Sequence, residues 1–339
     1  MSNKKIVVIG GGPGGVESAN SLARLGYQVE ILEKEPSIGG HINHWHKLFP
    51  NMKDAHEIVT AMKERSIHPS ITISTNEAMT NMSKKNGSFE ISTSKGRTIS
   101  ADIVVAATGF EAFKAERKEE FGYGVYSNVF TSIEIEEMLE KQETITTREG
   151  KKPETVAIVH CVGSRDEKVG NFYCSRVCCI CGVKQAIEIR KLLPETRVFN
   201  YYMDMRMTGQ YFEELYRESQ EKWGVHYIRG RVSESSQTID NKILIKAEDT
   251  LLAKPIIKKV DMLILMVAIE SSPSTAQIAK QFDIEYDYGF IRSRDRHFED
   301  QYTSIEGLFA VGTTKGPQTL KETLADARAV AEQIAEYLN

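Results

Sequence analysis

No segment of the 339 residues is apolar for long enough to cross a bilayer. The longest uninterrupted run, Met262 to Ile269, is far short of the roughly 20 residues a spanning helix needs. The apolar stretch after Lys4 and Lys5 is broken by glycines within a few residues, and no signal-cleavage pattern follows, so a cytoplasmic location is expected. Neither sign of charge prevails: 43 Lys and Arg against 47 Asp and Glu leave a net charge of −4, which gives no electrostatic basis for nucleic-acid binding. A composition of 41% hydrophobic and 27% charged residues excludes disorder, collagen and a coiled-coil rod, and the length predicts about two domains. Cysteine is missing from both ends of the chain, since all five fall between Cys161 and Cys181. In a reducing compartment such a concentration reads as metal ligation or redox chemistry before structural disulfides.

The sequence from Lys4 to Ile9 predicts a short buried strand, followed by Gly10-Gly11-Gly12-Pro13-Gly14-Gly15 and an amphipathic stretch from Val16 to Leu25. In this strand, turn and helix, Gly10 permits the tight turn, Gly12 lets backbone approach a pyrophosphate, and Gly15 lets the helix pack on the strand. A second strand, Tyr27 to Leu32, ends at Glu33, the position from which an acid binds ribose hydroxyls and disfavours a 2′-phosphate.

FAD and NAD share that fingerprint, and three further segments favour FAD. Glu33-Lys34 with Gly39-Gly40-His41 resembles the loop that flavoproteins place beside the pyrophosphate and ribitol. Asp102 to Gly109 is a strand closing in an Ala-Thr-Gly turn at Thr108 and Gly109, and Gly307 to Gly312 is a strand leading to a helix from about Gly316 to Leu338. Free N–H groups near Gln318 and Thr319 at that helix start would stabilise negative charge on a reduced flavin. Thr313 stands where many flavoproteins have Asp. Cofactor contacts are thus expected at Gly10, Gly12, Pro13, Gly14, Gly15, Glu33, Lys34, Gly39, Gly40, His41, Ala78, Thr108, Gly109, Gly312, Gln318 and Thr319. The histidines at 41, 44 and 46 read as flavin-loop residues rather than metal ligands, because no acidic ligand accompanies them.

Thr155 to His160 predicts another strand, where a second dinucleotide-binding unit would present glycines. Instead Cys161 follows, and then Cys174, Cys178, Cys179 and Cys181. Four thiolates suit an iron–sulfur cluster; a structural zinc site, with its usual paired knuckles, matches the spacing poorly, and a disulfide is the remaining reading. A regular helix would bring Cys174, Cys178 and Cys181 onto one face, which selects Cys181 over Cys179.

These motifs, with Ser37-Ile38-Gly39-Gly40, Cys161 to Asp166, Tyr173 to Cys179, Tyr202-Met203-Asp204 and Gly316-Pro317, resemble the heterodisulfide reductase A-subunit family over nearly the whole chain. The resemblance is greatest to the short A-subunit of the heterodisulfide-reductase-like complex of sulfur-oxidising bacteria. It implies an α/β, thioredoxin-reductase-like two-domain flavoprotein with a Rossmann-type FAD domain and a degenerate second dinucleotide-binding domain. It also implies FAD and a [4Fe–4S] cluster held by Cys161, Cys174, Cys178 and Cys179, with Cys181 a spare thiol and Lys184 near the flavin N5. Asp204 and Arg206 are weaker candidates for cofactor or interface contacts. The implied partners are subunits resembling heterodisulfide reductase B and C, and the implied state in isolation is a homodimer. The implied work is electron relay between flavin and those subunits in sulfur oxidation. A quinone-interacting oxidoreductase subunit and a stand-alone NADH-dependent disulfide or sulfur reductase are the alternatives.

Residues 1–115 and 276–339 are expected to form a discontinuous FAD domain, with residues 125–275 as the central domain. Lys114 to Glu120 and Glu143 to Glu154 read as polar surface connectors.

Overall fold

The computed structural model describes residues 4–338. The chain forms two compact units, one of residues 4–43, 56–111 and 270–338, the other of residues 44–55 and 112–269. The expected first segment is therefore interrupted, because residues 44–55 belong to the second unit, as do residues 112–115, while residues 270–275 belong to the first. The outermost ends of the expected FAD domain, residues 1–3 and 339, lie outside the described residues.

The first unit is built on a five-stranded parallel sheet in the order Leu308–Ala310, Ile103–Ala106, Lys5–Ile9, Gln28–Leu32, Ile71–Ser74. Its central strand is covered on both sides, which is why it reads as a continuous apolar run rather than an alternation. Ile6 and Val8 pack with Val16 and Leu22 of the Pro13–Arg24 helix and with Val330 and Ile334 of the Leu320–Leu338 helix. Val7 and Ile9 face Met82, Phe89 and Ile91 of a three-stranded antiparallel sheet. Pro13 opens the first helix at a position where its missing N–H costs nothing.

The second unit repeats the plan: Val129–Thr131, Met262–Val267, Thr155–Val162, Arg197–Tyr202 and His226–Arg229 form a parallel sheet in that order. On one side Val156 and Ile158 meet Val183, Ala186 and Ile187 of the Cys178–Leu192 helix. On the other, Ala157, Val159 and Val162 pack with Val232, Ile243, Ile245 and Val260 of a second antiparallel sheet.

In the connector from Lys114 to Glu120, Lys114, Glu116, Arg117 and Glu119 are exposed as expected, but one charged residue is not. Lys118 is only 1% exposed, and its ammonium pairs with Asp166 and Glu120, both at 2.6 Å. A charge of that kind is buried only because it is paired.

Candidate cofactor and metal site

In the first unit the residues from Gly10 to Gly15 make a tight strand-to-helix turn. A Cβ at Gly10 would lie 2.2 Å from the Ala107 carbonyl oxygen, and one at Gly15 would lie 1.9 Å from that of Gly10. Those two positions serve packing within the protein. Gly12 differs, because a Cβ there meets nothing within 4 Å. No side chain caps the helix at Gly12 and no acid stands in its first turn, so its end N–H groups and dipole suit an anion such as a pyrophosphate. Gly40 flanks the same space, since its Cβ would lie 3.2 Å from the Gly12 Cα.

Glu33 is buried at the end of its strand and accepts the Gly11 N–H at 2.6 Å and the Glu35 N–H at 2.8 Å. Each carboxylate oxygen retains a lone pair for a sugar hydroxyl. Lys34 pairs at the surface with Glu111, and the His41 ring stacks on Phe110 at 4.3 Å between centroids. Both backbone polar groups of Ala78 bond to Ser94. Thr108 donates its N–H to the Thr314 hydroxyl at 3.0 Å and shares a 2.6 Å contact with the Thr275 hydroxyl. Gly109 and Gly316 border open space, and Gln318 keeps a buried, unpartnered Oε1. These features fit a bound dinucleotide.

At Thr319 the structure differs from the expected free helix end. The helix begins at Leu320, and the Thr319 N–H and hydroxyl both donate to Glu322 Oε2 in a capping box. A residue missed by the sequence reading is Asp326. Its buried carboxylate accepts the Gly312 N–H at 2.6 Å, pairs with Lys315 at 2.8 Å and is bonded by Gln301. The signal was an acid inside the apolar stripe of the last helix.

In the second unit the corresponding strand-to-helix turn carries sulfur. The Thr155–Val162 strand slips register between Val159 and Val162, and Cys161 has φ +61. Simple alternation would place Cys161 with Ala157 and Val159; the irregularity turns it onto the helix side with Ile158, Cys178 and Cys179. Arg165 and Arg176 also have positive φ, so three non-glycine residues near the turn hold a costly conformation.

Cys178 and Cys179 occupy the first turn of the Cys178–Leu192 helix, which has no acid there and no side-chain cap. The helix dipole favours thiolates at that place. The Cys178 thiol bonds to both Cys161 and Cys179, which holds it well above its ordinary pKa. Cys161 is lowered to about 7, first by Cys178, while Cys179 is lowered to about 4 by Cys178, His160 and the Arg206 backbone N–H. Thiolates are the form that binds metal. Asp204 is paired with Arg165 at 2.7 Å and its carbonyl oxygen lies 3.6 Å from the Cys179 Sγ, so the 202–206 segment walls the sulfur set.

Cys174 precedes the helix instead of lying in it, is half-buried, and accepts the Arg176 N–H at 3.3 Å. The helical-face selection of Cys181 over Cys179 therefore fails, because its premise of a regular helix through Cys174 does not hold. Burial pushes the Cys181 thiol up to about 12, and its charged surroundings include Lys184, Glu136 and Glu188. Among the described residues, His160, Cys178 and Cys179 form a set close enough for one metal ion, their ligand atoms all within 4.8 Å of one another. The buried His160 Nδ1, Ser164 Oγ and Arg165 Nη1 have no hydrogen-bond partner. A soft-metal or iron–sulfur centre fits this donor set.

Lys184 is buried. Its ammonium contacts Glu136, lies 3.2 Å from Glu188 Oε2 and donates to the Lys47 carbonyl at 3.0 Å, using its three donors within the second unit. Burial opposes its charge, but the two carboxylates outweigh that and raise it above the ordinary lysine value. His46 Nδ1 lies 2.8 Å from Glu188 Oε1, which, with Lys184 and Phe49 packing on Phe212, explains why residues 44–55 join this unit.

The sequence model for pyridine nucleotide-disulphide oxidoreductases matches residues 4–327. The chain belongs to that family. This oxidoreductase is also related over nearly its full length to the A-subunits of heterodisulfide reductases. It is 29% identical to the iron–sulfur A-subunit of CoB–CoM heterodisulfide reductase from Methanocaldococcus jannaschii, over 98% of this chain and 64% of the relative. It is 28% identical to the A-subunit of the H2:CoB–CoM heterodisulfide, ferredoxin reductase from Methanothermobacter marburgensis, over 98% of this chain and 63% of the relative. The chain thus spans less than two thirds of the length of these curated relatives. Thioredoxin reductase from T. acidophilum has the same fold, with a TM-score of 0.68, 18% identity and coverage of 99% of this chain and 100% of that one. No helix among the described residues is long and apolar enough to cross a membrane.

Proposed function

We propose that this oxidoreductase is an FAD- and [4Fe–4S]-containing electron-transfer subunit of a heterodisulfide-reductase-like complex. The observation that carries the reading is the replacement, in the second of two like-ordered sheets, of a glycine turn by Cys161, Cys178 and Cys179 at a helix N-terminus. A flavin exchanges electrons in pairs or singly, and a cluster carries them one at a time.

In the first unit Gly12, Gly40 and the uncapped helix end accept the pyrophosphate, while Glu33 holds Gly11 in place and presents lone pairs to the ribose. In the second, the thiolates hold the metal, with Cys174 as the fourth ligand that the family resemblance supplies. Arg165 supplies positive charge, and Asp204 and Arg206 wall the centre through backbone groups. Lys184 belongs to the same reading as a flavin neighbour, a role that must share its ammonium with Glu136 and Glu188. The partners are subunits resembling heterodisulfide reductase B and C, and the process served is sulfur oxidation. The second unit lacks an NAD glycine turn, which disfavours a stand-alone NADH-dependent reductase.

Zinc is the second reading, favoured by how closely His160, Cys178 and Cys179 approach one another. In a tetrahedral site with Zn–S bonds of about 2.3 Å, ligand sulfurs are about 3.8 Å apart. The test is Cys179→Ala, prepared anaerobically. The electron-transfer reading predicts loss of iron and sulfide with FAD retained. Full retention of iron and sulfide in the variant would contradict it.

A further inference from the structure

We propose that the surface over Cys174, formed by the loop from Arg165 to Arg176 together with Arg206 and Arg229, is the docking face for a small acidic iron–sulfur protein that exchanges single electrons with the centre. The inference rests on the iron–sulfur reading above and names the place and the charge of the partner which that reading requires.

Exposure selects the place. Of the four cysteines assigned to the centre, Cys161, Cys178 and Cys179 are buried and Cys174 alone is half-buried, so a partner approaches the sulfur set most closely there. Two residues before it, Phe172 is 57% exposed, a large apolar side chain facing water. Phenylalanine and arginine are among the residue types enriched in protein interfaces. The loop is also held in one shape. Tyr173 donates its hydroxyl to the Ile269 carbonyl at 2.7 Å, and the buried Ser175 hydroxyl accepts the Ile269 N–H at 3.0 Å. The Asn171 side chain donates to the Gly163 carbonyl at 2.8 Å, and the Arg165 N–H donates to the Tyr173 carbonyl at 2.9 Å. A surface fixed before binding loses little conformational entropy on docking.

Charge selects the partner. Arg165, Arg206 and Arg229 surround a single carboxylate, that of Asp204. Arg165 bonds it at 2.7 Å, Arg229 lies 3.9 Å away, and the three together hold its carboxyl below the ordinary value, Arg165 most strongly. Burial opposes the Arg165 charge, but Asp204, Cys161 and Cys174 outweigh it, which puts Cys174 in the same neighbourhood as these arginines. Glu167 and Lys168, both exposed in the loop, offset each other. Three arginines against one carboxylate make this face positive on a chain whose net charge is −4. As a whole the chain repels an acidic protein, while the local face attracts one, and the two effects have opposite salt dependence.

The test uses the full chain, isolated anaerobically with iron, acid-labile sulfide and FAD measured first, and a plant-type [2Fe–2S] ferredoxin as the acidic probe. Calorimetry measures binding with both proteins oxidised. Stopped-flow mixing of reduced ferredoxin with the oxidised protein measures the exchange, in which one electron leaves the ferredoxin centre and enters this protein's centre, with no bond made or broken. Affinity and second-order rate should both fall as salt rises. The double variant Arg206→Glu and Arg229→Glu should lower both by about 10- to 100-fold at low salt. A double variant of equal charge change in the first unit, Lys63→Glu and Lys85→Glu at exposed positions, should lower them far less. Phe172→Ser should weaken binding at every salt concentration and leaves the arginines and Asp204 in place. Binding and rate that rise or stay level with salt, or a Phe172→Ser or arginine variant that binds like wild type, overturn the docking face; iron and sulfide in the same samples leave the cluster reading standing. Wild-type protein without iron and sulfide overturns both.

Discussion

Gly12→Ala separates a glycine that serves a ligand from glycines that serve the fold. Gly12 has φ −72 and ψ −176, a conformation alanine adopts freely, and the added methyl meets no protein atom within 4 Å. Glycine is the better residue at a helix N-cap, a preference of order 1 kcal/mol, while alanine recovers about 0.4–1 kcal/mol by restricting the unfolded chain. The apoprotein should therefore change in stability by no more than about 1 kcal/mol. In the holoprotein the methyl enters the space proposed for the pyrophosphate, where overpacking costs about 1–3 kcal/mol, or about 5- to 150-fold in FAD affinity. Gly15→Ala is the contrast, because its Cβ would stand 1.9 Å from the Gly10 carbonyl oxygen and the strand-to-helix turn must move. The assay is FAD titration of apoprotein by flavin fluorescence, beside thermal unfolding of the same apoproteins. The expected pattern is Gly12→Ala stable but weak in FAD, and Gly15→Ala impaired in both. Gly12→Ala protein that binds FAD as tightly as wild type would refute the placement of the pyrophosphate over Gly12.

Cys181→Ala should leave the iron content unchanged, because that thiol stays protonated at neutral pH with its value pushed up to about 12; loss of iron in this variant would return Cys181 to the ligand set. Lys184→Met leaves Glu136 and Glu188 buried without their cation and should destabilise the Cys178–Leu192 helix by about 3–5 kcal/mol, read as faster amide hydrogen exchange; unchanged protection would show that the network carries no stability. Glu188 has a folded-state value below its ordinary 4.5, because Lys184 and His46 more than offset the effect of burial. Its contribution is present above 4.5 and lost as pH falls through the depressed folded value, so the stability gap between wild type and Glu188→Gln should close toward acid; a gap that widened there would contradict the sign.

What was legible in the sequence was what depends on local backbone geometry. The glycine turn, the acid at the end of the second strand and the apolar strands each follow from steric rules within about 30 residues, and the structure forms them. The joining of residues 44–55 to the second unit was not legible, because it rests on His46 meeting Glu188 and Lys47 meeting Lys184 across more than a hundred residues. Lys118 looked like part of a charged surface connector for the same reason: its partner Asp166 is remote in sequence. The facing of Cys161 depended on a strand irregularity that residue types do not announce, and the helical wheel misled because the helix starts at Cys178. Asp326 was hidden within an apolar stripe whose periodicity was otherwise read correctly.

The central claim is that the cysteine turn holds an iron–sulfur centre in a protein whose other unit holds FAD. Anaerobic determination of iron, acid-labile sulfide, zinc and extracted flavin per chain tests it most directly. The account predicts about four irons, four sulfides and one FAD per chain, with a paramagnetic signal on reduction. Stoichiometric zinc without sulfide, even with FAD bound, would contradict the electron relay and leave the cysteines as a structural metal site.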